Sequence, residues 1–387
     1  MHEWLNAKHI LAVRLDNIGD VIMLGPALRA VKESSPQARL TLLASPVGAT
    51  AVPLLPWVDD VITWRTVWQD VGGRIPFDPR RERELIDLLA RREFDAALIF
   101  TSFSQTPHTP GYACYLAGIP LRAGESKEFG GSTLTTELRG SPDELHQAER
   151  NLRLVEQLGF VARERMLTVI IPDEARKSVP ALLEHTGLDP AKPFILLHPG
   201  ASASARRYPA ERFGDVARYL TRSVLPVLVT GVERESAQIE ELKQHAPDVH
   251  CLVGGTTLSE YAALVERAAL VICNDSLPMH LADAVGTPAV VLFSGTDYEE
   301  QWRPRSIRYR LLRRHTACHP CYLFECPIGL PCLAIAPEKV IEAVEALLSE
   351  RRGAVHCAQS QASSPQLSAM TSAPTTMHWT PTAGGEL

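Results

Sequence analysis

Short apolar segments of strand length, each followed by a turn and a helix-spaced stretch, recur along this chain. That alternation restricts it to parallel sheets flanked by helices, because parallel strands need helical crossovers and are buried on both faces. Strands are expected at 9–15, 39–44, 60–64 and 96–100, with helices at 20–33, at 81–92 and around 112–117. Segment 20–33 sets Val21, Leu24, Ala27, Leu28 and Val31 at helical spacing and stops before Pro36. A helix over 142–158 leads into a polar, mixed stretch, 159–176, where the domain junction is expected. The scheme then repeats, with strands at 194–197, 224–230, 270–273 and 289–293. Helices are expected at 210–221, 233–245, 259–268, 278–285 and 337–350. The chain is therefore read as α/β, with doubly wound domains over 1–160 and 172–352 whose strand carboxyl ends can face one another across a cleft. From Gly353 the composition turns to Ser, Thr, Pro, Ala and Gln, and 353–387 is expected to be a disordered tail.

A chain of 387 residues supplies two sizeable cores. Its net charge of −6 argues against a protein that coats nucleic acid. The N-terminal segment lacks a basic head, and no run of 18 apolar residues occurs. A cytoplasmic location is therefore expected.

Three loops at strand ends carry candidate chemistry. In Arg14-Leu15-Asp16-Asn17-Ile18-Gly19-Asp20-Val21, Gly19 permits a tight turn and Asp20 sits at a helix start. Asp20 there is either a helix cap or a base able to take a proton from a sugar hydroxyl. The loop is not GxGxxG, so a dinucleotide fingerprint is absent. In His198-Pro199-Gly200-Ala201-Ser202, followed by Arg206-Arg207, small residues admit a phosphate to backbone N–H groups and the arginines offer forked donors. An ordinary loop with surface arginines fits those residues equally, and no Walker A pattern is present. In Asn274-Asp275-Ser276-Leu277-Pro278-Met279-His280, a carboxylate, a hydroxyl and an imidazole gather at a strand end and the first helical turn. Ser276 or Asp275 also suits a cap ahead of Pro278, and no GxSxG elbow marks a serine hydrolase. Finally, four of the eight cysteines, Cys318, Cys321, Cys326 and Cys332, crowd one segment. A zinc or iron–sulfur site and reduced structural thiols both fit them, the C-x5-C spacing of the second pair being loose for a zinc ribbon.

Taken in order, ILAVRLDNIGDVIMLGPALRAVK, ILLHPGASASARRYPAERF, VLVTGVERE and LVICNDSLPMHLADAVGTPAVVLF resemble glycosyltransferase family 9, the heptosyltransferases that extend the lipopolysaccharide core. The segment CHPCYLFECPIGLPCL is also similar to one that many members carry. The resemblance implies a GT-B architecture of two Rossmann-like domains, the N-terminal one binding the acceptor and the C-terminal one the nucleotide sugar. It implies an inverting, metal-independent transfer that requires no cofactor, from ADP-heptose to a glycan or lipid-linked glycan. Asp20 then takes the position of the general base. Ser202, Arg206, Glu233, Asp275, Ser276 and His280 take donor-binding positions, and Arg14 and Asn17 are assigned to the acceptor. The sequence departs from the family at Leu277, where glycine is common, and at Arg206, where lysine is common.

Other readings are another GT-B nucleotide-sugar enzyme, such as an epimerase, and a non-catalytic nucleotide-sugar-binding member. A lipid-linked acceptor would bring peripheral membrane contact at the inner face of the inner membrane. Trp64, Trp68, Arg74 and Arg80–Arg83 are the residues for it, against the plainer reading of core tryptophans beside a solvated helix.

Overall fold

The apolar runs become strands buried on both faces. The structure, a computed structural model, describes residues 2–362. Among them the first sheet holds β1 (His9–Arg14), β2 (Arg39–Ala44), β3 (Asp60–Thr63), β4 (Ala96–Ile99), β5 (Leu121–Glu125) and β6 (Thr136–Leu138). Its order is β3-β2-β1-β4-β5-β6, all parallel. The second holds β7 (Ile195–His198), β8 (Val227–Gly231), β9 (His250–Val253), β10 (Leu270–Asn274), β11 (Ala289–Leu292) and β12 (Tyr309–Leu312), in the order β12-β11-β10-β7-β8-β9. Counted from its own first strand, the second sheet has the order of the first. Each sheet reverses direction between its first and fourth strands, at β1/β4 and at β7/β10. Loops leaving the carboxyl ends at such a reversal diverge and open a crevice.

Both sheets lie in one compact unit, 1–348. One apolar core runs through both lobes, joining Ile10, Leu28 and Leu42 to Val271, Met279 and Phe293. A polar seam adds to it: Gln301 donates to the Asp143 carbonyl at 2.6 Å, His146 meets the Arg303 carbonyl at 3.0 Å, and Arg305 pairs with Glu149.

Several expectations change. The helix expected over 20–33 is two, Ile18–Ile22 and Gly25–Ser34, because Pro26 cannot donate back along a continuous helix. The expected junction runs into a helix at Asp173–His185 that buries Ala175, Val179 and Leu183. Strands β5, β6, β9 and β12 were not expected; they are short, carry polar residues and lie towards the sheet edges. The last helix, Pro337–Ala362, continues past the expected end at residue 350. The rest of the expected tail, 363–387, lies outside the described residues.

Candidate functional site

The two switch points converge on one cavity of about 760 Å³. From the N-terminal lobe the loops after β1 (Asp16–Asp20) and β4 (Ser102–Gln105) line it. From the C-terminal lobe come the loops after β7 (Gly200–Ala203, Arg206), β10 (Asp275–Pro278, His280) and β11 (Asp297). The lobes touch here: a Cβ on Gly19 would stand 2.8 Å from His280 Cδ2. Glycine at 19 is what lets the imidazole in.

Asp20 serves as a cap and also faces the cavity. Its Oδ2 accepts the Asn17 backbone N–H at 3.1 Å, and its Oδ1 accepts from Arg14 Nη2 at 2.8 Å. Each carboxylate oxygen keeps a further lone pair for a ligand proton. Arg14 Nη2 also reaches Ser102 Oγ at 2.7 Å, and Nε lies 2.9 Å from Asp16 Oδ2. Asp16 in turn accepts from Gln69 and Gln105, each at 2.5 Å. Burial pushes the Asp16 carboxyl up, with Asp20 adding to it against the pull of Arg14 and the two glutamines.

Across the cavity, Arg206 donates to Asp297 Oδ2 at 2.6 Å and Thr296 Oγ1 at 3.1 Å, with Asp275 Oδ2 at 3.9 Å. Burial works against its charge, but Asp275, Asp297 and Asp20 together raise its pKa. Asp275 is buried, and its Oδ2 has no hydrogen-bond partner. Burial, opposed by Arg206 and helped by Asp297 and Asp20, lifts its carboxyl to about 6. Burial pushes His280 down to about 4, against the carboxylates of Asp20 and Asp283, and its ring packs on Trp302 at 6.5 Å. Ser276 caps the nine-residue helix Leu277–Val285 by position and donates to the Gly200 carbonyl at 3.3 Å. Leu277 is the first residue of that helix and does not sit at positive φ, so the position does not need glycine's freedom.

The structure thus gathers Asp20, Asn17, Ser202, Arg206, Asp275, Ser276 and His280 around one cavity. Two assignments are corrected. Arg14 is fully buried and does not line the cavity; it orients Asp16 and Asp20 from behind and cannot touch an acceptor. Glu233 is exposed outside the lining, and Glu235 takes the inward place. The short turn Glu233–Glu235 turns Glu235 under Gly200, where a Cβ would meet its Oε1 at 2.1 Å. Among the described residues no group of three or more His, Cys, Asp or Glu side chains is set to hold a metal ion. Cys332 is buried in the apolar core of the C-terminal lobe, Cys318 is exposed, and Cys326 Sγ accepts the Leu330 N–H.

Sequence reasoning missed Ser102, Gln105 and Asp297, which carry no local signature. It also gave no role to His198, which lines the cavity 3.3 Å from Thr230 Oγ1, 3.4 Å from Tyr261 Oη and 3.7 Å from Glu235. Burial pushes His198 down. The switch-point rule applied to β4 would have found Ser102 and Gln105.

Known proteins share this chain's family and fold. The glycosyltransferase family 9 (heptosyltransferase) profile matches residues 111–330. The chain belongs to glycosyltransferase family 9. Lipopolysaccharide heptosyltransferase 2 of Salmonella typhimurium is 23% identical over 88% of this chain and 99% of that protein. A family 9 glycosyl transferase from Veillonella parvula superposes with a TM-score of 0.72 at 22% identity, covering 89% of this chain and 97% of the other. The E. coli ADP-heptose lps heptosyltransferase II superposes at 0.69 and 21% identity, covering 89% and 99%. The protein is a glycosyltransferase of GT-B architecture.

Proposed function

We propose that this family 9 enzyme transfers heptose with inversion from ADP-heptose to a hydroxyl of a lipopolysaccharide-core acceptor. The observation that carries the reading is the meeting of Asp20 from one lobe with Arg206, Asp275 and His280 from the other around one cavity. The likeness to proteins named for ADP-heptose and lipopolysaccharide supports the choice of donor and acceptor.

In this reading the acceptor oxygen attacks the anomeric carbon on the face opposite the diphosphate. A carbon–oxygen bond forms, the bond to the diphosphate breaks, and ADP departs with the electron pair. The Asp20 carboxylate takes the hydroxyl proton, a role worth ~100–10,000-fold in rate. Arg206, the backbone N–H groups near 201–204 and the N-terminus of the Leu277–Val285 helix face the charge growing on the diphosphate. They supply that stabilisation without a divalent cation. Ser202 and Ser276 offer hydroxyls at the same loops, and Asn17 lines the N-terminal side. No helix among the described residues is long and apolar enough to cross a membrane. In this reading a lipid-linked acceptor is met by surface contact at the cytoplasmic face of the inner membrane.

Calorimetric titration with ADP, UDP, GDP and CDP tests the donor. Selective ADP binding, weakened in Arg206→Ala, is expected, followed by acceptor-dependent release of ADP from ADP-heptose that Asp20→Ala abolishes. Preference for another nucleotide removes ADP-heptose from the reading. Donor turnover without an acceptor replaces transfer by epimerisation or hydrolysis.

A further inference from the structure

At one end of the cavity the lining turns aromatic. Tyr322 and Phe324 come from the cysteine-rich segment of the C-terminal lobe and Phe103 from the loop after β4. Tyr322 is 49% exposed and Phe324 60%. Their main chain is nevertheless paired on two sides. The Cys321 N–H donates to Gly295 O at 3.0 Å and the Tyr322 N–H to Thr296 O at 2.8 Å, while Phe324 O accepts the Ala205 N–H at 3.0 Å. Rings on an anchored backbone are thus left open to a cavity, where exposed aromatic surface is unfavourable until something covers it.

Tyr322 also sits at φ 55°, in the left-handed region that strains any side chain and suits glycine. A turn needing only that backbone would take glycine. Tyr322 instead carries a large ring at that position, and the ring lines the cavity. On the opposite wall Phe103 is held from behind: the Arg150 guanidinium lies 4.6 Å from its ring centroid and pairs with buried Glu125 at 3.3 Å. Burial raises the Tyr322 phenol, and Tyr298, Asp297 and Asp143 add to it, so groups from both lobes surround this mouth.

We propose that Tyr322, Phe324 and Phe103 form an aromatic subsite that stacks on the apolar face of a saccharide ring of the acceptor. The proposal rests on the glycosyl-transfer reading above. The loops after β7 and β10 occupy the middle of the cavity, and those after β8 and β9 lie beyond them, away from the rings. A donor spread over those loops leaves the aromatic end, which opens onto the Asp20 side through the β4 loop, for the second substrate. Sugar rings present C–H-rich faces that the electron-rich face of an aromatic ring attracts, and hydroxyl edges that it leaves free for hydrogen bonding.

Initial rates with ADP-heptose and core oligosaccharides released from lipopolysaccharide by mild acid test this. Tyr322→Ala and Phe324→Ala are each expected to raise the acceptor KM about tenfold, the size of one well-placed aromatic contact. The donor KM and the ADP Kd should stay unchanged. Tyr322→Phe should restore the acceptor KM, and Phe77→Ala, an exposed ring outside the cavity, should match wild type. Tyr322→Gly removes ring and strain together, so a raised acceptor KM at undiminished melting temperature separates the ring's role from folding. An unchanged acceptor KM overturns the proposal, and so does a parallel loss of ADP affinity, which would assign the rings to the donor. A wild type that binds ADP yet transfers nothing sinks the heptosyl-transfer reading. The subsite is then read by saturation-transfer NMR of the oligosaccharides on the ADP-loaded protein. A sugar-proton signal that is present with wild type and vanishes in Phe324→Ala supports the subsite. An equal signal in the variant, or none with wild type, overturns it.

Discussion

Asp275→Asn should stabilise the protein at neutral pH while harming its chemistry, and the size of the gain follows from the burial of one carboxyl. Asp275 is lifted from 3.8 to about 6, chiefly by burial, with the attraction of Arg206 already counted against it. About two pKa units at about 1.4 kcal/mol each is a penalty of about 3 kcal/mol once the group is ionised. The sign follows from proton binding. Between 3.8 and about 6 the folded state holds the proton that the unfolded chain has released, so stability is full below 3.8 and falls as pH rises through about 6, where the penalty is complete. Asparagine keeps the shape without the charge, and because Asp275 Oδ2 has no partner, its amide breaks no hydrogen bond at that atom. Thermal unfolding of the two proteins should differ by at most roughly 5 °C at pH 7.5 in favour of the variant. At pH 4.5 the difference should shrink to about a third, since linkage leaves about 1 kcal/mol there. A difference that does not vary with pH, or a variant less stable at both values, refutes the assignment of that penalty to a buried charge.

Asp20→Asn should lower kcat by ~100–10,000-fold while ADP affinity measured by calorimetry is retained, because the amide keeps the Arg14 contact but takes no proton. Gly19→Ala should cost about 1–3 kcal/mol in denaturant unfolding and depress turnover, since its Cβ would stand 2.8 Å from His280 Cδ2; wild-type values in both assays would mean the imidazole moves freely. Arg80→Glu combined with Arg83→Glu should leave sedimentation with anionic vesicles unchanged, because Trp64 and Trp68 pack against the core and Arg80 is spent on Asp78 at the surface. Loss of sedimentation would assign that face to a membrane.

The central strands were legible because both their faces are covered. ILAVR, AALI, ILLH, LVICN and AVVL are nearly unbroken apolar runs, the pattern a buried parallel strand requires. LRAGE, TEL, HCLV and YRLL mix charged or polar residues into strands at or near the edges, and no periodicity exposes them. Arg122 shows why: it is buried in β5 only because the carbonyls of Ile119, Pro120 and Thr133 receive its guanidinium, a tertiary fact. At the site, the loops after β1 and β7 announced themselves by glycine beside acid or hydroxyl residues, and the loop after β10 by its Asp-Ser pair and His280. Arg14 misled because a strand residue's depth depends on the sheet around it. Glu233 misled by two positions, since only the folded turn decides which glutamate lies under Gly200.

The charge balance of the cavity leads to one more measurable consequence. Asp20, Asp275 and Asp297 surround Arg206 closely enough that each raises its pKa, so the site's own residues put more acid than base around that guanidinium. A diphosphate bound there brings further negative charge into the same low-dielectric space. Asp275, already near 6, is the carboxyl best placed to answer by taking a proton. ADP binding should therefore be accompanied by proton uptake at pH 6.5–7, and its affinity should fall as pH rises through that range. Calorimetric titration in buffers of different ionisation enthalpy measures the protons exchanged. ADP's own terminal phosphate titrates in the same region, so the decisive quantity is the difference between wild type and Asp275→Asn. Uptake that disappears in the variant places the phosphates within reach of Asp275. Equal exchange in both proteins, or net release that the variant does not alter, means that the diphosphate lies elsewhere or that Arg206 leaves Asp275 untouched when it binds.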